Sequence, residues 1–376
     1  MEGYSRGIRR YDIWLFIAVS TLISLGLIMV YSTSAMASLI KYGISYHYAL
    51  RQFLYVLFSL FFVFIFARMD YHVLRPLSGF LLFGGIFLLA MVYVPHIGLS
   101  AGGSRRWLNL KIINIQPSEF VKIIFVIYLA KFLEKYKEIL DNNKYSILFA
   151  YPFMTMALID GLLLKQPDFG SASIMFFLAI LMLFVAGISL AYLFSVLAVG
   201  SIGAYFLILS VPYRRDRILA FLHPFHDKSG VGFQIIQSIY AFGRGGIFGV
   251  GLGHGKEKLI FLPTPYSDFI FSSVGEELGL IGVAVFILLF LILAYRGLRI
   301  AVNAPDLFGT FLAYGLTFLI VFSAFINIGV TMGALPTKGL ALPLISYGGS
   351  SMLASCIAIG ILLNISSQSE KKKEFE

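Results

Sequence analysis

Runs of about 20 apolar residues, the length a helix needs to cross the hydrocarbon core of a bilayer, recur along almost the whole chain. Inside a bilayer no water is available to peptide groups, so each run must close its own hydrogen bonds as a helix. Hydrophobic patterning predicts ten helices, at about 12–33, 49–67, 75–94, 113–133, 145–164, 170–187, 190–212, 269–295, 308–332 and 342–365. Of the 376 residues, 59% are hydrophobic and 13% are charged, against roughly 25% charged in a soluble domain. This excludes a soluble globular enzyme, and it excludes a disordered chain, which needs low hydrophobicity. The expected architecture is an all-α polytopic membrane protein made of a single domain over residues 1–376. Its tails lie at about 1–11 and 366–376, and a long extracellular loop at about 213–268 joins helices seven and eight. That loop is too rich in Gly and Phe for a linker, and should carry short amphipathic or re-entrant pieces. Cys356, the single cysteine, can form no internal disulfide.

The formal net charge of +10 has to be distributed over two membrane faces. Arg6, Arg9 and Arg10 precede the first span with no small-residue cleavage site, so that span reads as an anchor. An even number of spans places both termini on one side. Lys371 to Lys373 and the loops around Arg68, Lys131 and Arg296 fall there too, which marks that side as the cytoplasm. The remaining basic residues lie outside or near the outer helix ends, among them Arg105, Arg106, Arg244 and Lys338. They read as headgroup contacts or as holders of an anionic ligand, and a pyrophosphate suits forked arginine donors.

Ionisable groups inside apolar spans are costly and point to function. Glu119 and Lys122 in QPSEFVK share one helical face, either as a self-neutralising packing pair or as a cavity wall. Asp168 in KQPDFG reads as a helix cap, and Asp160 stands alone in its helix. Asp268 opens helix eight in LPTPYSDFIFSSVGEELGLIG, where it could cap the helix or act as a general base at a cavity mouth. Glu276 and Glu277 follow two turns on and cannot face the same way. The glycine-rich QSIYAFGRGGIFGVGLGHGKEK, which contains Gln237 and Arg244, lacks the strand–helix context of a dinucleotide fingerprint. PTKGLALPLISYGGSS carries Lys338, Ser346, Gly348, Gly349 and Ser350, and its prolines and paired glycines imply broken backbone lining a cavity.

Taken in order, RRWL, QPSEFVK, QPDFG, QSIYAFGRGG with GVGLG, SDFIFSSVGEELGLIG and LPTKGLALPLISYGGSS resemble the SEDS family (shape, elongation, division and sporulation), exemplified by FtsW, RodA and SpoVE. The resemblance covers essentially the whole chain, and the PTKG form looks like the FtsW division branch. It implies a ten-span peptidoglycan glycosyltransferase of the bacterial cytoplasmic membrane. Such an enzyme polymerises lipid II by inversion at the outer face, with a class B penicillin-binding transpeptidase and other division or elongation proteins as partners. It implies a catalytic role for Asp268, and a pyrophosphate site drawn from Arg105, Arg106, Glu119, Lys122, Arg244, Lys338, Ser346 and Ser350. Asp168, Gln237, Glu276, Glu277, Gly348 and Gly349 would shape the cavity. A divalent cation, Mg or Mn, could share the charge neutralisation through Asp268. No organic cofactor and no nucleic acid are implied. The common HTDF form is TPYSDF here, which removes any role for a preceding histidine. A lipid II flippase and a noncatalytic division scaffold are the competing readings.

Overall fold

The structure is a computed structural model that describes residues 11–101, 104–109, 114–138, 150–226, 231–256 and 265–375. Arg6, Arg9 and Arg10, used above for the charge distribution, lie outside the described residues.

Each predicted helix has a counterpart. They are α1 (Ile13–Tyr42), α2 (His47–Arg68), α3 (Leu74–Met91), α4 (Pro117–Lys135), α5 (Ala150–Lys165), α6 (Phe169–Val185), α7 (Leu190–Leu209), α10 (Ile270–Val302), α11 (Leu307–Thr331) and α12 (Gly349–Phe375). The long polar stretch carries two further short helices, α8 (Pro212–Leu222) and α9 (Val231–Gly245). By length and composition α1, α2, α3, α7, α10, α11 and α12 are apolar enough to cross a membrane, so the chain is a multi-pass membrane protein. Helix α4 carries Glu119, Lys122, Lys131, Glu134 and Lys135, and α5 and α6 are shorter.

Three departures from the prediction have local causes. Helix α1 runs on to Tyr42 because the serines and threonine of its last turns stay helical, Thr33 Oγ1 donating to the Met29 carbonyl at 2.7 Å. Gly43 then stops the helix at φ 73°, a left-handed cap. Helix α12 starts late, at Gly349, because Leu344 at φ 66° interrupts the backbone ahead of it. Between α3 and α4 a small antiparallel sheet replaces the expected coil, with β1 (Gly98–Ala101), β2 (Ser104–Asn109) and β3 (Asn114–Ile115) in that order.

Side-chain contacts sort the helix termini into two ends. At one end Asp12 caps α1, receives the forked Arg296 of α10, and donates its N–H to the Ser366 Oγ of α12. His72 bridges Asp70 and Asp306 there, and Arg75 meets Glu134 at 2.9 Å. The start of α10, the end of α11, the start of α12 and the sheet gather at the opposite end. The helices therefore shuttle between two polar layers. Helix α2 turns Phe53, Leu54, Leu57, Phe58 and Phe61 outward, as a lipid-facing helix should, while α11 buries most of its length.

Candidate active site

The turn that opens α10 and the irregular segment before α12 are stitched together. Ser346 Oγ donates to the Ser267 carbonyl at 2.6 Å and accepts the Leu342 N–H at 2.8 Å. The Tyr347 N–H donates to the Tyr266 carbonyl at 2.9 Å. Gln52, buried on α2, donates to the Ser346 carbonyl and accepts the Gly348 N–H, both at 3.2 Å. Asn327 of α11 donates from Nδ2 to the carbonyls of Asp268, at 2.9 Å, and of Leu340, at 2.6 Å. The backbone of residues 266–268 is thereby held by α11 and by the segment before α12, which Gln52 of α2 braces in turn, and the Asp268 side chain is left for other work.

That side chain faces Gly339. A Cβ on residue 339 would lie 3.0 Å from Asp268 Oδ2 and 4.0 Å from Arg106 Nη1, so glycine lets carboxylate and guanidinium face each other there. Arg106, on β2, is held by the carbonyls of Gln166 and Pro167, and its Nη1 lies 3.9 Å from Asp168. Arg217, on α8, donates to the Thr337 carbonyl at 3.0 Å. Lys338 lies over the Phe169 ring at 5.1 Å and donates to Ser173 Oγ at 3.3 Å. Burial pushes the Asp268 carboxyl up to about 6, although the Arg106 and Arg217 charges and a hydrogen bond with Ser267 favour the carboxylate. Burial likewise pushes the Lys338 ammonium down to about 8, with Asp168 opposing the shift and Arg217 adding to it. Asp268 thus faces Arg106 from β2 and Arg217 from α8, while Lys338, beside Gly339, faces Asp168 and Arg217 in the same polar group.

The other expected residues divide into those near this group and those held elsewhere. Asp168 caps α6 as expected, accepting the Ser171 N–H at 3.2 Å and its hydroxyl at 2.8 Å, while also facing Arg106. Glu119 and Lys122 pair at 2.8 Å and line a cavity of about 30 Å³ with Ser323, Ser351 and Leu340, the residue after Gly339. Ser350 accepts the Gln116 N–H at 3.0 Å, so it and Ser346 hold backbone. Gly349 packs on the Tyr55 ring, and Gly348 takes the Gln52 bond. Gln237 is half-buried on α9.

Three expected placements change. Arg105 is exposed, because neighbouring residues on a strand face opposite ways and Arg106 takes the inward face. Arg244 is 3.6 Å from Glu276, whose Oε1 also accepts the Lys256 N–H at 2.7 Å. Glu277 accepts the Ser32 hydroxyl at 2.6 Å and the Gly253 N–H at 3.2 Å. Arg244 and the two glutamates thus form a separate assembly, about two helical turns along α10 from Asp268. Asp160 on α5 joins neither group, and its Oδ1 meets no hydrogen-bond partner.

The sequence reasoning passed over Arg217, Asn327 and Gln52. Arg214 and Arg217 are three apart on an amphipathic helix, a spacing that puts both on one face. Asn327 and Gln52 are buried polar residues in apolar helices, and they carry no charge to mark them. No cluster of three or more His, Cys, Asp or Glu side chains able to hold a metal occurs among the described residues. Asp268 faces Arg106 and Arg217 and Asp168 caps α6, so the donors among the described residues do not by themselves fit a resident divalent ion.

A family model described as "Cell cycle protein", that of FtsW, RodA and SpoVE, matches residues 13–371. The chain belongs to the FtsW/RodA/SpoVE family. It is 45% identical over 361 residues to the probable peptidoglycan glycosyltransferase FtsW of Geobacter metallireducens, covering 96% of each chain. Stage V sporulation protein E of Bacillus subtilis is 41% identical, with 94% of this chain and 96% of that one covered. Among solved structures, a chain from a peptidoglycan synthase complex that coordinates polymerization and crosslinking aligns with a TM-score of 0.80 at 29% identity, covering 96% of this chain and 98% of that one. The rod shape determining protein RodA of Thermus thermophilus aligns with a TM-score of 0.69 at 26% identity, covering 95% and 96%.

Proposed function

We propose that this chain is a peptidoglycan glycosyltransferase that polymerises lipid II at the outer face of the bacterial cytoplasmic membrane. The observation that carries the reading is the Asp268 carboxylate, with its backbone fixed and its acidity weakened, facing Arg106 and Arg217, with Lys338 beside Gly339 in the same polar group. A pyrophosphate leaving group needs its charge neutralised more than it needs a proton, and preorganised cations supply that in a low-dielectric site. Asp268 as carboxylate takes the proton from the 4-hydroxyl of the acceptor N-acetylglucosamine. The freed oxygen attacks the anomeric carbon of the donor, the bond to the lipid pyrophosphate breaks, and the configuration inverts. A carboxyl poised near 6 is better matched to a neutral-pH general base than an ordinary aspartate. The relatives' names and the peptidoglycan synthase neighbour support this chemistry, and they support a class B penicillin-binding transpeptidase as partner. The basic residues at the Asp12 and Arg296 end support cytoplasmic termini and an outward-facing Asp268.

The test is purified protein supplied with lipid II alone. Wild type should form glycan strands, and Asp268→Asn should lower their rate by at least about 100-fold, the contribution of a positioned base. Strands formed at the wild-type rate by Asp268→Asn would falsify the assignment. Strand formation by the isolated chain also separates polymerisation from transport or scaffolding.

A further inference from the structure

Six aromatic rings make an unbroken chain of contacts beside Asp268. Tyr42 and His47 stack with centroids 3.8 Å apart, and Tyr48 meets Tyr42 edge-on at 5.7 Å. Tyr48 also lies over Tyr266 at 4.8 Å. Tyr347 closes the group, touching Tyr48 at 5.4 Å, Tyr266 at 5.6 Å and Tyr55 at 6.2 Å. The series begins at the surface, where Tyr42 is 39% exposed, and ends at Tyr266, two residues before Asp268. Both chain segments that hold Asp268 contribute a ring.

The residue types separate this group from ordinary packing. Farther along α2, from Phe58 to Phe66, where it meets lipid, its rings are phenylalanines. Beside the site, five of the six rings carry a hydroxyl. Tyrosine belts at membrane interfaces share that composition, but a belt residue needs only the headgroup layer, whereas these rings stack on one another and run inward to the turn that carries Asp268. Burial pushes the Tyr347 hydroxyl up to about 12, so it stays neutral, able to donate and to accept. A pyranose presents the matching surfaces: C–H groups on its faces and hydroxyls around its rim. Ring faces take the first and phenols take the second.

We infer that these rings form a product subsite, a track on which the β-linked amino-sugar strand lies as it leaves Asp268. The inference rests on the glycosyltransferase reading above. Tyr48, buried, holds the stack together, and Tyr42, at its exposed edge, meets the strand. A held strand stays on the protein for the next addition, so the track sets product length.

The experiment measures strand length, by gel electrophoresis of products from lipid II, for wild type, Tyr42→Leu and Tyr42→Trp. The Leu variant keeps an apolar side chain and loses the ring face, so its strands should be about 2- to 10-fold shorter, the equilibrium equivalent of one aromatic contact. The Trp variant should keep the wild-type length. Wild-type lengths from the Leu variant, or equal shortening in both variants, overturn the track. A wild type that makes no strands at all instead overturns the glycosyltransferase reading. A second measurement needs no variant. Saturation-transfer NMR with a soluble β-1,4-linked N-acetylglucosamine tetramer should show transfer to the sugar ring protons, and its absence counts against the track.

Discussion

Asp268 and Lys338 titrate toward each other from opposite directions, and the enzyme should show it. Chemistry that needs Asp268 as a carboxylate falls as pH drops through about 6, and pyrophosphate binding that needs Lys338 as an ammonium falls as pH rises through about 8. The profile of kcat/KM for strand formation should therefore be a bell between those limbs. Arg106 identifies the acid limb. Its positive charge favours the ionised carboxyl, so Arg106→Met should carry that limb to higher pH while leaving the basic limb in place. A profile whose acid limb does not move in Arg106→Met would separate Asp268 from the ionisation that controls rate. Asp268 stands out in the sequence as a charge at the start of an apolar run, but that pattern alone leaves cap and general base open, and the family resemblance is what points to the second. Arg217 was not legible, because it reaches the site only when the fold brings Thr337, 120 positions away, against α8.

At the scale of elements, the glycine-rich loop after α9 has a packing explanation. Helix α10 is broken at Gly279, which has φ 64° and ψ −163°, and the loop is threaded into the break. The N–H groups of Val250 and Gly251 donate to the carbonyls of Glu276 and Glu277, and those of Leu280 and Ile281 donate to Gly246 and Ile247. Carbonyls and N–H groups released by the break are satisfied by the loop, as buried backbone requires. The approach is close enough to exclude any side chain: a Cβ on Gly279 would lie 2.3 Å from the Gly249 nitrogen. Gly279→Ala should therefore cost roughly 3 kcal/mol or more, since strain at positive φ adds to a backbone clash. Gly84→Ala, in α3 with open space around its Cβ, should be neutral or slightly stabilising. Thermal unfolding of the two variants in detergent checks the contrast, and equal melting temperatures would refute the threaded break. The sequence showed the seven glycines but not their partner, because helical periodicity carries straight through Gly279.

For the whole molecule, apolar runs made the helices legible, since each must satisfy its own backbone, while the sheet escaped because its strands are short and paired only with one another. Which polar layer faces outward follows from charge alone, so it calls for a direct measurement. The layers are chemically unlike: one gathers Asp268, Arg106, Arg217 and Lys338, while the other is knit by mutual ion pairs such as Asp12 with Arg296 and His72 with Asp306. A lipid-linked donor can be used outside only if the first layer faces outward, so topology and function stand or fall together. Native Cys356 is fully buried, which leaves single cysteines introduced elsewhere as clean reporters. His254→Cys lies at the Asp268 end on an exposed loop, and Asn303→Cys lies at the turn between α10 and α11. A membrane-impermeant maleimide applied to intact cells, or to spheroplasts where an outer membrane is present, should label the first. It should label the second only after the cytoplasmic membrane is permeabilised. The reverse pattern would put the carboxylate on the cytoplasmic face, where strands could not be released into a wall, and would return the buried charges to a transport role.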